Sequence, residues 1–251
     1  MRLLRLLALL ALLLLAPLAA LAQPPSAALP PLGSFTTQQR AEIIAIIREA
    51  LRTDASLLRD AITALQQEEE LAKTAVARGA IGELTRSLAG DPVMGNPDGD
   101  VTIVEFFDVR CPYCRRMLPV MAELLKRDPG VKLVFKDFPI LGPASTLGAR
   151  ALVASHKQGG YLKFYHVMMT GAPVGDMEGL RAAAGRAGLD WDRLQRDMAA
   201  PDVQGRIAAN LAIGRRLDIQ GTPAYVVGER ILPGAVDLAE MLAAVAAARR
   251  K

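Results

Sequence analysis

After its first 22 residues the chain has no apolar run of the roughly 20 residues that a membrane helix requires. It has two histidines, His156 and His166, both far in sequence from its cysteines. With no finger-like spacing of soft ligands, a closed zinc site is not expected, and no metal is assigned. No lysine or arginine run is interleaved with aromatic residues, so nothing points to nucleic acid. There is no internal repeat. Cysteine is scarce as well: Cys111 and Cys114 are the only two, three positions apart.

The N-terminus "MRLLRLLALLALLLLAPLAALAQ" has Arg2 and Arg5, a leucine-rich run, and the small-x-small pattern Ala20-Leu21-Ala22. That is the layout of a signal peptide cleaved after Ala22, and it implies export of the mature protein. The alternative is an uncleaved anchor, against which Pro17 breaks the run. No cysteine follows the cleavage point to carry a lipid. Removing residues 1 to 22 lowers the formal charge from 30 − 26 = +4 to 28 − 26 = +2, nearly neutral. The remaining 251 − 22 = 229 residues are enough for one good core and accessory helices.

The chain then changes character several times. Residues 23 to 34, "QPPSAALPPLGS", form a proline-rich linker. Residues 35 to 90 carry helical patterns. Thr36 and Gln39 have capping-box spacing, and Ile43, Ile46, Ile47, Ala50 and Leu51 recur with helical period. Thr53 or Asp54 can cap a second helix bearing Leu58, Ala61, Ile62 and Leu65. A third piece is expected from Glu68 to about Leu88, weakened by Gly79 and Gly82. These helices carry more apolar stripe than a linker needs, so they pack on their own domain or join subunits.

From residue 91 a domain of another kind follows. "VTIVEFF" reads as a buried strand, "RRMLPVMAELLKR" as an amphipathic helix, and "VKLVFKDFP" as a second, parallel strand. Residues 144 to 216 are helical throughout, with breaks at Gly159-Gly160, at "TGAPVGD" and at Gly188. Strands return at "AYVV" and "RIL" around a Gly228-Glu229 turn, and "VDLAEMLAAVAAARR" is a closing helix. Trp191 and His166 read as packing residues.

Cys111 and Cys114 fall where the first strand gives way to a helix, with Pro112 at a first-turn position that needs no amide donor. Residues three apart on a helical turn are close enough for an unstrained disulfide. The helix N-terminus favours a thiolate on the first of them, and Arg110, Arg115 and Arg116 add positive charge if they turn that way. A purely structural bridge closing so short a loop would contribute only roughly 2 kcal/mol. A thiolate with a second thiol beside it is the apparatus of thiol-disulfide exchange. Glu105, the odd residue in an apolar strand, can exchange protons with Cys114, pair with Lys136 on the next strand, or both. Asp108 and Arg110 read as turn residues tuning the local field. Gly221-Thr222-Pro223 marks a special turn ahead of the third strand.

Taken together, "VEFFDVRCPYC", the long helical insertion and "GTPAYVVG" resemble the DsbA-like branch of the thioredoxin superfamily, exported thiol-disulfide oxidoreductases, over about residues 91 to 251. The resemblance implies an α/β thioredoxin fold with an inserted helical domain, a redox-active disulfide and no other cofactor. It implies Cys111 as nucleophile, Cys114 as resolving thiol, Glu105 as buried proton acceptor, and a cis-Pro223 that faces the sulfurs beside Thr222. Two features depart from the standard oxidase, which has Pro-His between its cysteines and valine before its cis-proline. Here Pro112-Tyr113 and Thr222 stand instead, and with the N-terminal helices they look like the oligomeric, ScsC-like members linked to copper tolerance. That likeness implies a disulfide isomerase or reductase, a homo-oligomer (trimer or dimer) on a helical stalk, exported client proteins, and a membrane thiol reductase as redox partner. A DsbA-like oxidase served by a membrane oxidase is the alternative. A copper(I)-binding protein using the same two thiols is the alternative of another class.

Overall fold

A computed structural model describes residues 35–250. The signal peptide and the whole of the proline-rich linker, residues 23 to 34, lie outside the described residues. The chain divides into two units, Met1–Ala64 and Leu65–Lys251.

In the first unit, helix α1 spans Thr37–Thr53 and opens on the expected capping box. Thr36 Oγ1 accepts from the Gln39 amide, and the Gln39 side chain accepts from the Thr36 amide. No residue of α1 is buried, and Ile43, Ile44, Ile46, Ile47 and Leu51 are all exposed. Asp54 accepts from the Ser56 amide at the head of α2, Ala55–Arg86. Two separate helices were expected over this stretch, and one continuous helix is found. Gly79 and Gly82 cost it about 1 kcal/mol each relative to alanine. The neighbouring Ala80, Ile81 and Leu84 are buried, and their burial outweighs that cost.

The second unit is built on a five-stranded sheet of order β1-β3-β2-β4-β5. Its strands are β1 Val93–Gly95, β2 Val101–Phe107, β3 Val131–Asp137, β4 Ala224–Val227 and β5 Arg230–Pro233. Only β2 and β3 run parallel, joined by helix α3, Pro112–Arg127. The helical insertion is α4 Pro143–His156, α5 Tyr161–Thr170, α6 Met177–Ala187, α7 Trp191–Met198 and α8 Pro201–Arg216, and α9 Leu238–Arg249 closes the chain. Strand β1 was not expected: three residues ending in a glycine are too short to show alternation. The β4–β5 turn falls at Gly228-Glu229 as expected, with Gly228 at φ 59° where a side chain would be strained.

Both faces of the sheet are covered, which is why β2 and β3 read as nearly unbroken apolar runs. Val104, Phe106 and Val134 pack with Ala80, Ile81 and Leu84 of α2 and with Ile213 and Leu217 near the end of α8. Ile103, Phe107, Leu133 and Phe135 face α3, α9 and the helical insertion. Trp191 packs half-buried against that core. Gly148 of α4 lets the helix approach the turn after β2 closely, since a Cβ there would lie 2.6 Å from Val109 Cγ1. No helix among the described residues is long and apolar enough to cross a membrane.

Candidate active site

Strand β2 ends at Phe107, and four residues later Cys111 is the N-cap of α3. Its amide donates to the Asp108 carbonyl at 2.9 Å, and Pro112 occupies the first turn. Asp108, read from the sequence as a turn residue tuning the local field, is the anchor of this turn. Its carboxylate is buried and accepts from the Arg110 amide at 2.9 Å and from the Ile140 and Leu141 amides at 2.9 and 3.0 Å. One side chain thus ties the redox loop to the loop after β3.

Both cysteines are free thiols. Cys111 is only 3% accessible, because the segment before β4 lies over it. The Cys111 thiol donates to the Thr222 carbonyl at 3.2 Å. The Thr222–Pro223 peptide is cis, as the resemblance implied. Cys114 is fully enclosed. Burial pushes its thiol far above the ordinary range, and the neighbouring Glu105 carboxylate pushes it the same way. Cys114 therefore needs a proton acceptor before it can react.

Glu105 is 2% exposed and faces α3 from the middle of β2. Pairing with Lys136 does not occur. Residues 105 and 136 point to opposite faces of the sheet, and Lys136 bonds the buried Asp91 instead. The partner of Glu105 is Tyr225, directly across the β2–β4 ladder, whose hydroxyl donates to Oε1 at 3.2 Å. Burial pushes the Glu105 carboxyl up to about 7, while the Tyr225 hydroxyl pulls the other way. Asp137 is likewise pushed up to about 7 by burial, with Tyr161 donating to its Oδ2 at 2.9 Å. A cavity of about 310 Å3 runs beside α3, lined by Glu105, Met117, Met121 and Tyr165, with exposed His166 at its edge. His166 is thus a rim residue and not packed in the core.

The three arginines that would add positive charge if they turned toward the sulfurs bond elsewhere. Arg110 donates to the Val174 carbonyl at 2.9 Å. Arg116 stacks over the exposed Tyr113 ring, 4.3 Å from its centroid. Arg115 donates to the Met168, Met169 and Gly171 carbonyls at 2.9, 3.0 and 2.6 Å, where the unpaired carbonyls of α5 need donors. That makes Arg115 the clasp between the redox helix and the insertion. Arg115→Met, which keeps the stem and removes the donors, is expected to destabilise the fold by about 2–4 kcal/mol, lowering Tm by about 2–4 °C per kcal/mol in a calorimetric scan. An unchanged Tm would mean that water replaces these bonds without cost.

Glu105 also sets how stability depends on pH. A carboxyl held near 7 keeps its proton in the folded chain over a range where the unfolded chain, with an ordinary value of 4.5, has released it. The folded state therefore loses stability as pH rises from about 4.5 to 7 and loses no more above that. Glu105→Gln has no proton to lose. Its Tm is expected to match the unsubstituted protein near pH 4 and to exceed it above pH 7, by up to ~3 kcal/mol in stability. An equal difference at both pH values would assign the titration to another group, Asp137 first.

Tyr225 escaped sequence reading, although a signal existed: a tyrosine in a fully apolar strand must find a partner for its hydroxyl. Among the described residues no group of three or more His, Cys, Asp or Glu is placed to hold a metal ion.

A model of the DSBA-like thioredoxin domain matches residues 102–246. A thioredoxin-like oxidoreductase from Silicibacter pomeroyi is 42% identical, covering 65% of this chain and 94% of that one, with a TM-score of 0.63. Proteus mirabilis ScsC in a transitional conformation is 27% identical and covers 87% of this chain and 98% of that one, with a TM-score of 0.61. Among curated proteins, the Na(+)/H(+) antiporter NhaA 3 of Salinispora tropica is 29% identical over 160 residues, 63% of this chain and 24% of that protein. This chain thus spans about a quarter of the length of the antiporter it matches.

Proposed function

We propose that this chain, which belongs to the DSBA-like thioredoxin family and is a thiol-disulfide oxidoreductase with a Cys111–Cys114 centre, acts in the periplasm as an oligomeric disulfide isomerase or reductase on exported proteins. The chemistry follows from the positions of the groups. Cys111, capping α3, attacks a client disulfide and forms a mixed disulfide. Cys114 gives its proton to Glu105, attacks Cys111, and releases the client as a thiol. The Thr222 carbonyl and Pro223, which lie against the Cys111 sulfur, receive the client main chain, and exposed Tyr113 meets its side chains. The redox equivalents come from a membrane thiol reductase.

The observation that carries the isomerase reading is the unpartnered apolar face of α1, in which no residue is buried. An exported helix with that face requires a second copy to cover it. The likeness to Proteus mirabilis ScsC supports the same reading, since it extends over 87% of this chain, well beyond residues 102–246. The test is the native mass of residues 23–251 by sedimentation, together with refolding of a substrate whose disulfides have been scrambled. A monomer that oxidises reduced clients but does not refold scrambled ones would make the protein an oxidase.

A further inference from the structure

The proton acceptor beneath the redox helix is held by a residue outside the shared machinery of Cys-x-x-C, buried carboxylate and cis-proline. From the cross-strand geometry we infer that Tyr225 is a positioning residue for resolution: its hydroxyl holds Oε1 of Glu105 and leaves Oε2 to take the proton of Cys114. The inference rests on Glu105 being that acceptor, and it adds what fixes its orientation and its readiness to ionise.

Three observations bear on it. Glu105 and Tyr225 stand directly opposite in the antiparallel β2–β4 pair, both almost wholly buried, so the bond from Tyr225 Oη to Oε1 at 3.2 Å is held by two central strands and not by a flexible tether. Among the described residues no hydrogen bond reaches Oε2. Tyr225 also lies two residues beyond Pro223, on the strand that begins at the segment whose Thr222 carbonyl meets the Cys111 thiol. One short rigid piece of chain therefore carries both the surface against Cys111 and the donor on Glu105.

The chemical consequence has a definite sign. A donor on Oε1 stabilises the carboxylate against burial, which otherwise keeps the acid protonated and useless as a base. When Cys114 resolves a mixed disulfide, its S–H proton passes to Oε2 and its sulfur attacks Cys111. The Cys111–client bond breaks, the Cys111–Cys114 bond forms, and the client sulfur leaves with the electron pair. Only the ionised fraction of Glu105 can take that proton, so removing the Tyr225 hydroxyl lowers this fraction at neutral pH. The other titratable groups around Glu105 are Cys114 from α3, and Tyr165, Tyr161 and His166 from α5. None of these three α5 groups shares a hydrogen bond with it, and Lys136 of β3 lies on the far face.

The experiment uses the reduced full-length mature chain with oxidised glutathione as the probe. Acid quenching at successive times gives the formation and decay of the Cys111–glutathione adduct from pH 5 to 9. In the unsubstituted protein adduct decay is expected to rise through an apparent midpoint that Glu105→Gln abolishes. In Tyr225→Phe that midpoint moves to higher pH, with decay at pH 7 slower by about fivefold for the first unit moved from near 7 and by about tenfold for each further unit, adduct formation unchanged, and decay at pH 9 equal to or faster than in the unsubstituted protein. Placing 2,3-difluorotyrosine at 225, a stronger donor of nearly the same size, moves the midpoint down. A Tyr225→Phe midpoint that stays in place while Glu105→Gln removes it overturns the role of Tyr225 alone. No pH step in the unsubstituted protein, or one that survives Glu105→Gln, overturns Glu105 as acceptor and Tyr225 with it. If Tyr225→Phe does not fold, the fluorinated variant decides: no downward move rejects the inference.

Discussion

Replacing Cys114 by alanine is expected to turn the protein into a trap. Cys111 keeps its place at the head of α3 and its neighbour Thr222, so attack on a client disulfide proceeds as before. What is lost is the only sulfur that can release the adduct, since no other cysteine exists in the chain. Covalent complexes with clients then accumulate, visible as reductant-sensitive bands, and turnover falls to background. Cys111→Ser traps nothing, because Cys114 is fully enclosed and a client sulfur cannot reach it. The two variants should differ just as sharply in alkylation of the reduced protein. Cys111, at 3% accessibility and capped only by the segment before β4, is modified when that segment moves, whereas Cys114 requires α3 itself to open. Equal trapping by both variants, or modification of Cys114 first, would reverse the roles given to the two thiols.

The parts of this site that were legible in the sequence are those fixed by local chemistry. A proline behind a cysteine at a strand-to-helix junction can be read from adjacent letters, as can a capping box at Thr36 and Gln39 or a tight turn at Gly228. What escaped is set by which face a side chain takes once strands are in register. Glu105 and Lys136 lie on adjacent strands and have opposite charge, so pairing them was a fair expectation. The parallel ladder sets Glu105 opposite Phe135, not Lys136, and period-two alternation sends the lysine to the other face. The arginines show the same limit in a helix. Arg115 and Arg116 are neighbours in sequence, yet about 100° of helical rotation takes one to the carbonyls of α5 and the other to the Tyr113 ring. Asp108 looked like an ordinary turn residue because two of the amides it gathers lie over thirty positions away.

Whether the helices before the sheet make the difference between isomerase and oxidase is tested by cutting them, provided that the cut respects the core. Starting a fragment near Asp91 would strip Ala80, Ile81 and Leu84 from the sheet and expose Val104, Phe106 and Val134. That fragment would fail for reasons unrelated to assembly. Starting at Leu65, where the second unit begins, keeps those residues and removes α1 with its exposed isoleucines. Residues 23–251 are expected to sediment as a homo-oligomer and residues 65–251 as a monomer. Isomerisation needs a wrongly bonded client to be attacked, released and attacked again, and tethered active sites raise the effective concentration for each return into the millimolar range. The shortened protein should therefore keep reduction of small disulfides at the full rate, since Cys111, Cys114 and Glu105 are untouched, and lose refolding of a scrambled substrate. Lone catalytic domains also present their redox face to a membrane oxidase without neighbours in the way, so the fragment gains oxidase activity in a cell that has one. Full refolding activity in the monomeric fragment would mean that one domain suffices for isomerisation, and the apolar face of α1 would then need another partner to cover it.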